Sequence, residues 1–219
     1  MSRTLLVLIA LAACWSPALA ETFDPARWEA DIAKMEARDA KTPPAKEGVV
    51  FIGSSSIRMW DLPKYFPDQP VVNHGFGGSH LEDSVYYVDR MITPLKPHAV
   101  VVYAGDNDIA HKYTPERIRD DFLKFVAKVH EDLPETKIVF IAVKPSLSRW
   151  NLVDQVRATN RLIAAECEKS DLLTFIDVDA PMLGEDGKPR KELFKSDGLH
   201  MTDAGYQIWT KLVQPEIQN

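Results

Sequence analysis

Cysteine is nearly absent from this 219-residue chain, which has only Cys14 and Cys167. Cys14 falls in the N-terminal leader described below, so a form cut after Ala20 would keep Cys167 alone. It could then form no intramolecular disulfide. Cys167 sits in a helical stretch among apolar neighbours and reads as a buried, inert thiol in preference to a catalytic one. Also missing is an apolar run of the roughly twenty residues that a bilayer span requires. Basic residues are not in excess: 26 Lys and Arg face 32 Asp and Glu, a net charge of −6. That balance favours neither nucleic acid nor an anionic membrane as partner. There is no solenoid-period repeat and no low-complexity tract. Neither Gly-x-x-x-x-Gly-Lys-Ser/Thr nor Gly-x-Gly-x-x-Gly occurs, so no nucleotide loop is expected. His74, His80, His98, His111 and His130 are scattered without a ligand spacing. They read as ordinary polar histidines, and neither a metal nor a cofactor is expected.

The composition that remains, 45% hydrophobic and 26% charged, is that of a globular chain long enough for one domain with a substantial core. The first twenty residues differ. Met1-Ser2-Arg3 is a short basic start, Thr4 to Ala13 an apolar run, and Ala18-Leu19-Ala20 a small-x-small cleavage signal. Together they read as a secretory signal peptide over 1–20, leaving 21–219 as a single periplasmic or secreted domain. Leu11-Ala12-Ala13-Cys14 resembles a bacterial lipobox, which makes a lipid anchor at Cys14 the alternative. Cys14 lies early for that purpose, and the cut after Ala20 is the preferred reading.

Along the rest of the chain short apolar runs alternate with amphipathic stretches. Asp24-Pro25 opens a helix carrying Trp28, Ile32 and Met35 at helical spacing. Strands are expected at Val49 to Ile52, Val71-Val72, Ala99 to Tyr103, Ile138 to Val143 and Leu172 to Ile176. Helices are expected from Ser79 to Ile92, from Thr114-Pro115 to Glu131, from Asn151 to Lys169, and after Thr202. Continuous apolar strands alternating with helices imply a parallel sheet covered on both faces, with sites at the carboxyl ends of the strands.

Polar residues do follow those strands. Gly53-Ser54-Ser55-Ser56 follows the first, Asn73-His74-Gly75-Phe76-Gly77-Gly78-Ser79 the second, and Gly105-Asp106-Asn107-Asp108 the third. Ser196-Asp197-Gly198-Leu199-His200 comes near the end. Singly, each has an ordinary explanation: a helix cap, a flexible loop, a turn, a surface turn before a capped helix. Their order is more specific. It resembles the four sequence blocks of the SGNH/GDSL hydrolase superfamily, and the glycine block looks closest to the platelet-activating-factor-acetylhydrolase-like branch. The resemblance spans nearly everything from Val49 to the last helix. It implies a flavodoxin-like three-layer α/β/α sandwich with a mostly parallel five-stranded sheet. One departure is that the family's Gly-Asp-Ser is Gly53-Ser54-Ser55 here, leaving three consecutive serines.

Counting two on from Gly53, the family pattern selects Ser55 as nucleophile and leaves Ser54 and Ser56 as turn and cap residues. A serine hydroxyl needs a base to take its proton, which the pattern assigns to His200, with Asp197 orienting the imidazole. Charge developing on the substrate carbonyl oxygen needs donors. The pattern supplies the backbone N–H of Ser55, that of Gly78, and the Asn107 side-chain amide. Asn73 reads as a structural hydrogen-bonder, and Asp106 as a residue shaping its loop. Lys144 and Arg149-Trp150 could line a pocket, with loop solvation the preferred reading.

The resemblance implies an exported serine esterase acting through an acyl-enzyme on a small-molecule or carbohydrate ester. The absence of a long apolar lid segment tilts the expectation towards short acyl groups such as acetyl. Alternatives with the same machinery are an O-acyltransferase acting on a sugar, a lysophospholipase or a thioesterase. A non-catalytic binding domain that keeps the fold is a further alternative.

Overall fold

The computed structural model describes residues 23–218. The leader over 1–20 and the lipobox cysteine Cys14 lie outside the described residues. Five strands alternate with helices: α1 Glu29–Lys41, β1 Val49–Gly53, α2 Ser55–Arg58, α3 Leu62–Tyr65, β2 Val71–Gly75, α4 Leu81–Tyr86, α5 Val88–Met91 and β3 Ala99–Tyr103. There follow α6 Asp106–Ala110, α7 Pro115–Asp132, β4 Lys137–Ile141, α8 Val153–Cys167, β5 Leu173–Ile176, α9 Asp179–Met182 and α10 Asp203–Val213.

All strand pairs are parallel and the order across the sheet is β2-β1-β3-β4-β5. This is the flavodoxin-like doubly wound order, and the expectation of a mostly parallel sheet becomes an entirely parallel one. The chain leaves β1 towards one edge and returns through β3 towards the other, so the crevice between their carboxyl ends is where such folds bind ligands. In register, Gly53 at the end of β1 lies between Gly75 of β2 and Tyr103 of β3.

Central strands are apolar throughout because both of their faces are covered. On one face Val50, Ile52, Val100, Val102, Ile138 and Phe140 meet α1, α4, α5, α7 and α8. On the other Val49, Phe51, Val101, Tyr103, Val139 and Ile141 meet Ile57 of α2, Leu62 of α3 and Trp209 of α10. The inward residues expected of the long helix, Ile118, Phe122, Phe125 and Val129, are all fully buried on α7. Its N-cap Thr114 accepts a hydrogen bond from Arg117 N–H at 3.2 Å, with Pro115 at the first helical position. Asp24 caps the N-terminal turn in the same way, accepting from Ala26 N–H, but the turn it opens is 3₁₀ before α1 begins.

The single helix expected from Ser79 to Ile92 is two, broken at Tyr87. Tyr87 leaves helical geometry while its ring packs edge-on to Phe76 and its hydroxyl donates to the Pro25 carbonyl at 2.7 Å. The break therefore fastens the N-terminal turn to the glycine block. Among the described residues no helix is long and apolar enough to cross a membrane.

Cys167 is buried, and burial pushes its thiol up to about 12, as an inert structural cysteine requires. Phe122 is wholly buried and meets Phe140 edge-on at 5.1 Å between centroids. Phe122→Ala is expected to cost about 3–5 kcal/mol of stability, read as a lowered urea midpoint at constant slope.

Candidate active site

Gly53 ends β1 at φ 129°, and a Cβ there would stand 2.0 Å from the Tyr103 carbonyl oxygen. No other residue fits this approach, and it allows Ser54 N–H to donate to that oxygen at 3.0 Å. The chain then turns into α2, whose first residue is Ser55. The three serines separate cleanly by burial: Ser54 and Ser56 are each 2% exposed, while Ser55 is half-buried. Ser54 occupies the N-cap position without making a side-chain cap. The Ser55 N–H lies in the first turn, where a helix has no internal acceptor for it. From behind, Tyr206 Oη donates to the Ser56 carbonyl at 2.9 Å, and Asn73 Nδ2 donates to those of Ile57 and Trp60. Asn73 is thus the structural hydrogen-bonder expected, although it stands on β2 and not in a loop.

The fourth block closes onto this turn. His200 Nε2 is 3.0 Å from Ser55 Oγ, across 145 residues of sequence, and His200 Nδ1 is 2.6 Å from Asp197 Oδ2. Asp197 Oδ1 accepts from the N–H groups of Leu199 and His200, each at 2.9 Å. The His200 imidazole, with these two backbone donors, holds the Asp197 carboxyl well below the usual carboxylate range. A carboxylate can only accept, so Nδ1 carries the imidazole proton and Nε2 is left to accept from the serine hydroxyl. Ser148 N–H donates to the Gly198 carbonyl, which joins the loop after β4 to this turn.

The second and third blocks meet each other. Asn107 Nδ2 donates to the Ser79 carbonyl at 3.0 Å. Asp108 joins the same loops: its carboxylate accepts from Leu81 N–H at 3.0 Å and Gly105 N–H at 3.1 Å. Burial pushes its carboxyl up to about 7 against the pull of the Leu81 N–H and its own backbone N–H. At Gly78 (φ 84°) a Cβ would stand 3.3 Å from Cη2 of Trp28, whose indole packs edge-on to Phe76. The N-terminal turn therefore packs against the glycine block.

Two readings from sequence need correction. Lys144 is not solvated: it is 2% exposed, and its ammonium donates to Asp106 Oδ2 at 2.8 Å and to Tyr103 Oη at 3.0 Å. Arg149 holds the other Asp106 oxygen at 2.5 Å. Burial raises the Asp106 carboxyl, yet Lys144 and Arg149 outweigh it and hold the group below its ordinary value. Nor are the histidines all scattered, since His80 Nε2 and His111 Nδ1 are 3.1 Å apart, with His111 also bonded to the Asn107 carbonyl. A lysine directly after an unbroken apolar strand, with an unpaired-looking aspartate after the neighbouring strand, was the available signal for the first. Nothing in the spacing pointed to the second.

The arrangement carries a hydroxyl and a base oriented by a carboxylate, which acyl transfer requires. The sequence pattern of the GDSL-like lipase/acylhydrolase family matches residues 56–208, and the chain belongs to that family. It is an enzyme of the carboxylic ester hydrolase class. No curated protein matches it in sequence. Among solved structures it is similar to a Streptococcus pneumoniae protein assigned as a platelet activating factor (19% identity, TM-score 0.78, covering 88% of this chain and 94% of that one). A GDSL-like lipase from Bacteroides thetaiotaomicron is similar at 20% identity and TM-score 0.74, over 86% and 97% of the two chains. An acetylxylan esterase from Geobacillus stearothermophilus is similar at 14% identity and TM-score 0.65, over 80% and 96%. At these identities the likeness is one of fold.

The Asp108 environment predicts a pH dependence of stability. Folded Asp108 keeps its proton up to about pH 7, whereas the unfolded carboxyl releases it near 3.8. The folded state thus binds the extra proton between those values, and this group's contribution to stability falls as pH rises through the window. Urea titrations across that window should show wild-type stability declining relative to Asp108→Asn, which lacks the titration. Parallel curves would contradict the assignment.

Proposed function

We propose that Ser55, His200 and Asp197 form a catalytic triad that hydrolyses short-acyl carboxylic esters through an acyl-enzyme. The observation that carries this reading is the unbroken line from Ser55 Oγ through His200 to Asp197, at 3.0 and 2.6 Å. Ser55 Oγ attacks the ester carbonyl carbon as its proton passes to His200 Nε2. Asp197 stabilises the imidazolium that results and keeps Nδ1 protonated. The carbonyl oxygen, now negative, takes hydrogen bonds from Ser55 N–H, Gly78 N–H and Asn107 Nδ2. His200 Nε2–H then protonates the departing alkoxide and the C–O bond breaks, leaving the acyl group on Ser55. Water enters, gives a proton to His200 and attacks the acyl carbon. Collapse of the second tetrahedral intermediate releases the acid and returns the proton to Ser55.

Short acyl groups, acetyl above all, are the proposed substrates, with the Trp28 indole, which would stand 3.3 Å from a Cβ at Gly78, as the proposed limit on the acyl chain. Esters on carbohydrate are the proposed natural class, in keeping with the acetylxylan esterase that shares the fold. The basic, apolar, small-residue leader over 1–20 supports export, with Glu21 as the first mature residue. Intact mass of the protein purified from its native host tests that point.

An organophosphonate probe is expected to modify Ser55 and neither neighbouring serine, as read by mass spectrometry of the labelled peptide. Ser55→Ala is expected to lower turnover of p-nitrophenyl acetate by about 10⁴-fold or more. Unchanged turnover in that variant would overturn the proposal. Trp28→Ala is expected to move the preferred p-nitrophenyl ester from acetate towards butyrate or hexanoate. A chain-length profile identical to wild type would remove Trp28 as the acyl limit.

A further inference from the structure

Asn107 can serve as an oxyanion donor only if its nitrogen, and not its oxygen, faces the reacting carbonyl. The two ends of a carboxamide are nearly the same size, so packing alone distinguishes them poorly. The Ser79 carbonyl, accepting from Nδ2, favours one orientation, and a charge at the other end of the amide would fix it. Arg149, on the loop after β4, does so. Its Nη2 donates to Asn107 Oδ1 at 3.2 Å, while Nη1 donates to the Asp106 carbonyl at 2.9 Å and to Asp106 Oδ1 at 2.5 Å. A guanidinium has only donors, so a flipped amide would set N–H against N–H. Of the two N–H bonds on Asn107 Nδ2, one is used on the Ser79 carbonyl, which leaves the other for substrate.

Arg149 is not needed to neutralise Asp106. Lys144, more deeply buried than Arg149, already pairs with the second carboxylate oxygen at 2.8 Å and is steadied by Tyr103 Oη. Two cations thus share one anion, and the cluster keeps a net charge of +1 beside the site where negative charge develops. A cation on the carbonyl end of an amide also polarises its N–H bonds and strengthens them as donors.

We propose that Arg149 is a positioning residue which orients and polarises the Asn107 amide for the oxyanion, supported from below by the Lys144–Asp106 pair. The proposal rests on the reading of Asn107 as an oxyanion donor. Lysine could still pair with Asp106 from position 149, but a point charge cannot span both Asp106 and Asn107 as the planar fork does.

The test compares Arg149→Met, Arg149→Lys, Asn107→Ala and the Arg149→Met/Asn107→Ala double variant on p-nitrophenyl acetate. Arg149→Met is expected to lower kcat about 10–100-fold, less than loss of the donor itself costs, with KM within twofold of wild type. Arg149→Lys should recover less than a tenth of the lost rate. In the Asn107→Ala background, Arg149→Met should cost less than about twofold, because the group it positions is gone. Affinity for a reversible arylboronic acid, which mimics the tetrahedral state, should fall in step with kcat/KM. A structural role alone would move neither that ratio nor the non-additivity. If Arg149→Met does not fold, as judged by thermal melting, Arg149→Gln replaces it in the same cycle. Equal losses in both backgrounds, or a rise in KM at unchanged kcat, would overturn the positioning role. Wild-type turnover in Asn107→Ala would instead overturn the donor reading beneath it.

Discussion

The close passage of Gly53 against the carbonyl of Tyr103 is the constraint on which the site depends. Two parallel strands end side by side there, and only the absence of a Cβ lets the first chain turn sharply enough to start a helix at Ser55. The Tyr103 residue is used twice. Its carbonyl receives Ser54 N–H, and its hydroxyl receives the ammonium of Lys144. The turn that presents Ser55 and the charged cluster beside Asn107 therefore share one anchor. A displacement of β3 against β1 would disturb both together.

The cluster is a costly way to build a core. Removing an ammonium and a carboxylate from water is unfavourable by several kcal/mol each, and an apolar pair of similar volume is often no less stable. Lys144 and Asp106 nonetheless lie almost wholly buried at the carboxyl end of the sheet. Stability gives no reason to place them there. Fixing a polar side chain at the mouth of the switch point does, since a preorganised dipole in a site of low dielectric needs no rearrangement when charge forms. Asp108 plays the quieter part, tying the glycine block to the third block through two backbone N–H groups.

Legibility followed the range of the forces. Helix α7 could be read from its cap, its proline and its 3.6-residue period, because all three are local. The five strands could be read from apolar runs; Ala99 to Tyr103 kept both its ends, while the other four shifted at an end by a residue or more, since hydrogen bonding to neighbours decides where a strand stops. The helix expected over Ser79 to Ile92 was broken at Tyr87 by a contact with Pro25, sixty-two residues away. No local signal carries such a contact. Likewise Lys144 and Arg149 looked like solvated loop residues because their partner, Asp106, is supplied by α6, after a different strand.

The sequence by itself determined the layer architecture and the four blocks in which Ser55, Asp197 and His200 stand, the residues that the fold brings together. Apolar periodicity and the order of four short blocks suffice for these, because both are written along the chain. Tertiary structure alone decided which of three serines is accessible, that Trp28 walls the glycine block, and which way the Asn107 amide faces. Each of those depends on what lies across the crevice. The approach of Tyr103, Trp28 and Arg149 is set by packing between elements from distant parts of the chain, and no property of the neighbouring residues encodes it.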